Sequence, residues 1–293
     1  MNIDKWLRDN THSLKNKTVA VTGTTGGIGR SLVGYLATLG ASLILLDRNR
    51  ERSESLKAEL TALYPGTSVK CITLDLSITD QVKKVTNELK KEKIDVLIHN
   101  AGAYKIPRCK CSTGLDNVFQ INFASPYYIT KELLPYMQGG RVVIVGSIAH
   151  NYSVTDVHDK DFSKREKSSL VYGNAKRYLM YSFMKLFENR EDVTLSVTHP
   201  GITLTNITSH YPKLIFALIK HPMKIIFMKP DIASLSILKG VFEETKMCEW
   251  IGPSAFNIWG YPKKKKLKTA TAEEIEEIFV SAEKLNLRMY DLQ

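Results

Sequence analysis

With 293 residues, 43% of them hydrophobic and 24% charged, the chain has the composition of an ordinary folded protein, which excludes a largely disordered one. Its formal net charge of +11 favours anionic surfaces and is concentrated partly in the run Lys263 to Lys266 and Lys268. The longest strongly apolar stretches, Leu43 to Leu46 and Leu214 to Ile219, fall far short of the roughly 20 residues needed to cross a bilayer, so no transmembrane helix is expected.

The opening stretch, Met1 to Lys17, mixes charged and polar residues and lacks the apolar core of a secretion signal, which points to a cytoplasmic protein. From Lys17 onward, short runs rich in Val, Ile and Leu predict strands at Thr18–Thr22, Ser42–Leu46, Val69–Leu74, Ile94–Ile98, Arg141–Gly146, Val193–Thr198 and, weakly, Glu249–Ile251. Between them, apolar residues at helical spacing predict helices near Gly27–Leu39, Arg50–Leu63, Ile78–Lys91, Leu115–Met137, Leu170–Glu188 and Asp231–Thr245. Near-continuous apolar strands alternating with helices imply an α/β fold: a doubly wound parallel sheet of about seven strands flanked by helices, in three layers αβα. No linker or repeat divides the chain, so one domain over 1–293 is expected. Its parts would be a core (17–200), a lid (201–230) and a C-terminal helix, strand and tail (231–293). The lysine run reads as a solvated loop. Four cysteines, only Cys109 and Cys111 close together, read as reduced thiols rather than a zinc site, and no metal is expected.

Ligands of such sheets sit beyond the carboxyl ends of the strands. The first strand runs into Thr22-Gly23-Thr24-Thr25-Gly26-Gly27-Ile28-Gly29, and a helix begins at once. Glycines at 23, 27 and 29 allow a tight turn, close approach to a pyrophosphate and close helix–strand packing, while the helix N-terminus offers free N–H groups. The second strand ends at Asp47, whose carboxylate can accept hydrogen bonds from the adenosine ribose and thus favours NAD. Arg48 and Arg50 follow, leaving NADP open.

Tyr172 and Lys176 stand four residues apart on one helix face. A phenol titrates near pH 10 and needs a nearby positive charge to exchange protons at neutral pH. An ammonium about 4 Å away, at an effective dielectric near 20, contributes roughly 4 kcal/mol, or about three pKa units. Ser147, at the carboxyl end of the fifth strand, can hold a substrate oxygen against that phenol. Tyr152 is the weaker phenol, because Asp156 four residues on would raise its pKa. His150, His158 and His199 lack the spacing of a metal site and read as solvated or substrate-lining.

In order and context, these motifs resemble the short-chain dehydrogenase/reductase family, whose cofactor loop reads Thr-Gly-x-x-x-Gly-x-Gly, over about Lys17 to Gly260. The resemblance implies a Rossmann-type fold and an NAD(P)-dependent oxidoreductase that moves a hydride between the nicotinamide and a carbonyl or alcohol carbon. Asp75, with Leu76, would lie by the adenine, and His99-Asn100-Ala101-Gly102 corresponds to the family's Asn-Asn-Ala-Gly, departing at His99. Asn122 would complete a proton relay through water to Lys176, and Pro200-Gly201 with Thr203 and Thr205 would close over the nicotinamide amide. The long stretch from His150 to Leu170, Ser112 to Phe119, and Trp250 to Gly252 resemble the retinol-dehydrogenase-like branch. The segment after Gly201 is apolar and basic, which suits a small apolar carbonyl or alcohol substrate and equally a peripheral membrane contact, shared with the lysine run, or a homo-oligomer contact. No recognised nucleic-acid motif accompanies the lysines, so no nucleic-acid partner is expected. The competing class is a non-catalytic dinucleotide sensor or scaffold, whose signature, loss of the Asn, Ser, Tyr or Lys, is absent.

Overall fold

The computed structural model describes residues 2–152, 167–203, 227–267 and 270–290. Eight strands form one sheet: β1 (Thr18–Thr22), β2 (Ser42–Asp47), β3 (Val69–Thr73), β4 (Val96–His99), β5 (Arg141–Val145), β6 (Thr194–Thr198), β7 (Glu249–Ala255) and β8 (Trp259–Lys266). Their order is β3-β2-β1-β4-β5-β6-β7-β8, parallel throughout except for the antiparallel β7–β8 pair. The chain winds outward from β1 in one direction and from β4 in the other, so a crevice opens beyond the carboxyl ends of β1 and β4.

The helices are α1 (Ile3–Asn10), α2 (Gly27–Thr38), α3 (Arg50–Leu63), α4 (Thr79–Leu89), α5 (Asn117–Phe119), α6 (Ser125–Leu133), α7 (Ser168–Leu186), α8 (Pro230–Phe242) and α9 (Ala272–Tyr290). Successive strand residues point to opposite faces, so Val19 and Val21 enter a core closed by α1, α2, α3 and α8, while Ala20 enters the core closed by α4, α6 and α7. Burying each Val, Leu or Phe stabilises by about 1.5–3 kcal/mol, so both faces are strongly driven to close. Helix α9 lies outside the three layers, on α6 and α7, where Tyr127 donates its hydroxyl hydrogen to Glu283.

The structure departs from the sequence reading at four places. The lysine run is not a loop: Lys263 to Lys266 form the end of β8, paired with Gly252 to Glu249 of β7. Lysines suit an edge strand because they discourage further pairing. The strand expected from Ile94 begins at Val96, after Asp95 has used its carboxylate on Lys17 and the Thr18 N–H. The helix expected over Leu115–Met137 is broken by a π-helical turn at Gln120–Ala124 and by a 3-10 turn at Leu134–Tyr136, with Pro126 and Pro135, which have no N–H to donate, opening the segments that follow. Helices α1 and α9 were not foreseen. Both carry legible start signals: the Asn2 side chain accepts from Lys5 N–H, and Thr271 and Glu274 exchange side-chain-to-backbone bonds in a capping box.

Two buried histidines sit at the sheet's carboxyl edge. His99 shares a 2.8 Å hydrogen bond between its Nε2 and the Thr130 hydroxyl, and His199 one of 3.0 Å between its Nε2 and the Asn257 carbonyl. Burial pushes both imidazoles down to about 3 from an ordinary 6.5. The unfolded chain therefore holds more protons between pH 3 and 6.5, and the stability each neutral ring contributes is complete above 6.5 and lost as pH falls toward 3. We expect each to cost about 2 kcal/mol at pH 5 relative to pH 8. Denaturant melts of wild type and His99→Asn across that range check this, the variant showing the shallower loss.

Candidate active site

The glycine loop leaves β1 at Gly23, which adopts φ +72°, and a Cβ there would stand 2.9 Å from Ala101 Cα. A Cβ on Gly29 would reach within 2.2 Å of the Gly23 carbonyl, so the first turn of α2 can sit this close only with glycine. Gly26, the N-cap of α2, has no side chain to satisfy the amides behind it, which suits an anion at that end. The loop is clamped to β4: Asn100 Nδ2 donates to the carbonyls of Thr22 (3.0 Å) and Gly23 (2.9 Å), and Ala101 N–H to the Thr22 hydroxyl (3.0 Å). Asp47 lies under the loop, accepting from Thr24, Thr25 and Ser53.

These residues open onto a cleft of about 830 Å³, within the usual range for a small-molecule site. Gly23, Thr25, Gly27, Ile28, Gly29, Asp47, Arg48, Asp75, Leu76, Asn100, Ala101 and Gly102 line it from the β1–β4 side. Ser147, Tyr172, Lys176, Pro200, Gly201 and Thr203 line it from the β5–β6 side. A dinucleotide fits this donor set, with bare backbone at the glycine loop for phosphates and acceptors beyond β2 and β3 for adenosine. Thr205 and most of the expected lid, 204–226, lie outside the described residues, as do Asp156 and His158.

The β5–β6 side is set by close packing of α7 on the sheet. Gly146 follows β5, and a Cβ there would fall 2.7 Å from Met180 Sδ on α7, so glycine lets the helix settle and bring Tyr172 to Ser147. Ser147 lies beside the phenol and pulls its pKa down. One turn on, Lys176 Nζ donates to the Val145 carbonyl at 2.8 Å and lies 5.6 Å from the centre of the Tyr172 ring. Asn122 does not line the cleft. It sits in the π-helical turn, donating to the carbonyls of Ala103 (2.8 Å) and Val118 (2.7 Å). Gly102 separates it from Lys176: a Cβ on Gly102 would stand 2.9 Å from Asn122 Oδ1 and 3.7 Å from Lys176 Nζ.

The electrostatics correct one expectation. Burial pushes the Tyr172 phenol up to about 12, against the pull of Ser147. Burial also pushes the Lys176 ammonium down to about 7, and its hydrogen bond goes to a backbone carbonyl. An amine half deprotonated near neutral pH is a weaker acidifier than the full charge assumed from spacing.

Some cleft residues were not foreseen. Tyr104 stacks at a tilt on Tyr172 with ring centres 5.1 Å apart, and Ile106, Ile148 and Phe227 extend the same apolar wall. The position of Tyr104, just past the Gly102 loop beyond β4, was the available signal. His199, which the sequence reading left as solvated or substrate-lining, lines the cleft and stacks on Trp250 with ring centres 4.8 Å apart. Cys109 and Cys111 do not line it, and burial pushes the Cys111 thiol up to about 11, away from a reactive thiolate.

The profile of the short chain dehydrogenase family matches residues 17–213, stopping short of the Gly260 expected from motifs. The short-chain dehydrogenase TIC 32 A, chloroplastic, of Brassica napus is 30% identical over 224 residues, covering 69% of each chain. Retinol dehydrogenase 14 of Mus musculus is 30% identical over 214 residues, covering 67% of this chain and 64% of the relative. Among solved structures, an uncharacterised protein from Mycobacterium paratuberculosis superposes with a TM-score of 0.78 at 22% identity, covering 95% of this chain and 96% of that one, a likeness of fold. The chain belongs to the short-chain dehydrogenase/reductase family, on its retinol-dehydrogenase-like branch, and is an NAD(P)-dependent oxidoreductase acting on CH–OH or carbonyl carbon.

Proposed function

We propose that this chain carries its reaction on Tyr172, Ser147, Lys176 and Asn122, with a small apolar alcohol or carbonyl compound as substrate. The observation that carries the reading is that Ser147, Tyr172 and Lys176 line one wall of the same cleft that begins at the glycine loop. A bound nicotinamide dinucleotide supplies or takes the hydride. Gly23 to Gly29 would hold its pyrophosphate, Asp75 and Leu76 would hold the adenine, and Pro200, Gly201, Thr203 and Thr205 would hold the nicotinamide end. Ser147 orients the substrate oxygen, and Tyr172 gives or takes its proton. Lys176, protonated below about pH 7, helps bring the phenol down from about 12, and Asn122 passes protons to it past Gly102. The whole chain, 1–293, acts as one domain in this scheme.

The apolar wall of Tyr104, Ile106, Ile148 and Phe227 supports the substrate class. So does the likeness to retinol dehydrogenases, whose name specifies an apolar alcohol. Peripheral contact with an anionic membrane is the finer reading of the basic charge. It is supported by exposed Phe256 at the β7–β8 tip and by exposed Lys263, Lys264 and Lys266 on β8. No described helix is long and apolar enough to cross a membrane.

Tyr172→Phe keeps the ring and removes the proton donor, so turnover of apolar aldehydes and ketones with either reduced cofactor should fall about 10²–10⁴-fold while cofactor binding persists. Retained turnover would reject the assignment. Tyr104→Ala removes an apolar wall of the pocket and should raise KM for bulky apolar substrates about tenfold, with a smaller effect on kcat, as steady-state kinetics would show. Co-sedimentation with anionic but not neutral vesicles checks the membrane contact, and equal recovery with both would reject it.

A further inference from the structure

Lys265 differs from the lysines on either side of it. Lys263, Lys264 and Lys266 are exposed, whereas Lys265 is partly buried and its ammonium lies against the β7–β8 turn. There Nζ donates to the carbonyls of Pro253 (2.6 Å) and Ser254 (3.0 Å) and to Asn257 Oδ1 (2.9 Å), which uses all three of its hydrogens. The turn needs such a brace. Phe256 and Asn257, consecutive and neither of them glycine, hold φ of +52° and +59°, a backbone that persists only where its surroundings over-determine it.

The braced turn fixes the Asn257 carbonyl, which accepts from His199 Nε2 at 3.0 Å. A carbonyl can only accept, so Nε2 of the neutral ring carries the hydrogen, and the imidazole has one tautomer and one orientation. The ring also lies flat on Trp250, with the two planes 9° apart, and the His199 N–H donates to the Ile251 carbonyl at 2.8 Å. His199 lines the cleft and is followed at once by Pro200 and Gly201, which line it too. Gly201, at φ +84°, rests on the same turn: a Cβ there would stand 2.8 Å from the Ile258 carbonyl and 3.0 Å from Pro253 Cγ. Lys265, Asn257 and Trp250 do not line the cleft themselves, so their route to it runs through His199 and Gly201.

We propose that Lys265 is a positioning residue: by bracing the β7–β8 turn it holds His199, and with it the Pro200–Gly201 backbone, in place for the nicotinamide end of a bound dinucleotide. This role rests on the cleft being the dinucleotide site, with its nicotinamide end at residues 200–203. One lysine of the basic run thus serves the cleft while its neighbours face outward.

Equilibrium titration of the full chain with NADH and with ADP-ribose, which lacks the nicotinamide, tests it, the 2′-phosphorylated form of each being run in parallel. Lys265→Met keeps an unbranched side chain and removes the three donors. We expect it to weaken the dinucleotide about tenfold, the order of a lost set of charge-assisted hydrogen bonds, and to leave ADP-ribose within about twofold of wild type. A residue that only stabilises the fold would lower the melting temperature without that split. Equal weakening of both ligands, weakening of ADP-ribose alone, or no change in either would overturn the positioning role. Should Lys265→Met fail to fold, His199→Phe carries the test, because it keeps an aromatic ring on Trp250 and removes the donor to Asn257. The same split is expected, and its absence would overturn the inference. Binding of neither ligand to wild type would overturn the dinucleotide site itself, and the role of Lys265 with it.

Discussion

A buried hydrogen bond, from Lys176 Nζ to the Val145 carbonyl, joins the long helix α7 to the end of β5. An ammonium without water around it is costly to leave unpaired, so the helix has one depth and rotation at which this cost is met. Gly146 permits that depth by leaving room for Met180. Once α7 is seated there, Tyr172 falls one turn back along the helix at Ser147, and Asn122 lies behind Gly102. The chemistry depends on that placement more than on any one side chain.

The same burial that fixes the lysine sets its charge. With the ammonium down to about 7 and the phenol up to about 12, the ligand-free pocket at neutral pH holds a neutral phenol beside an amine that is about half protonated. Further charge then enters with what binds, and an oxidised nicotinamide, being cationic, favours an ionised phenol. A phenol kept neutral also suits an apolar substrate. Tyr104, stacked on Tyr172, extends this low-dielectric surroundings toward the apolar wall.

Much of this was legible in the chain because it is local. The turn at Gly23 to Gly29 and the Tyr172–Lys176 spacing each occupy a few consecutive residues whose geometry follows from rules of short range. What escaped depends on contacts between distant segments. Lys263 to Lys266 reads as solvated because it is a run of four lysines, and it is a strand only because β7 pairs with it. The occupancy of Asp47 needs Thr24, Thr25 and Ser53 to converge on one carboxylate, and the pKa of Tyr172 needs the depth of its burial. Helix α9 is a different case, since its Thr271–Glu274 capping box was present to be read.

The central claim is that a carbon held at Tyr172 and Ser147 exchanges hydride with a cofactor seated on the glycine loop. Reduction of an apolar aldehyde with cofactor deuterated on one face of nicotinamide C4, followed by mass spectrometry of the alcohol, tests this directly. The account predicts deuterium on the carbinol carbon from one face only. Cofactor oxidation with no label in the alcohol, or label from both faces equally, would contradict it.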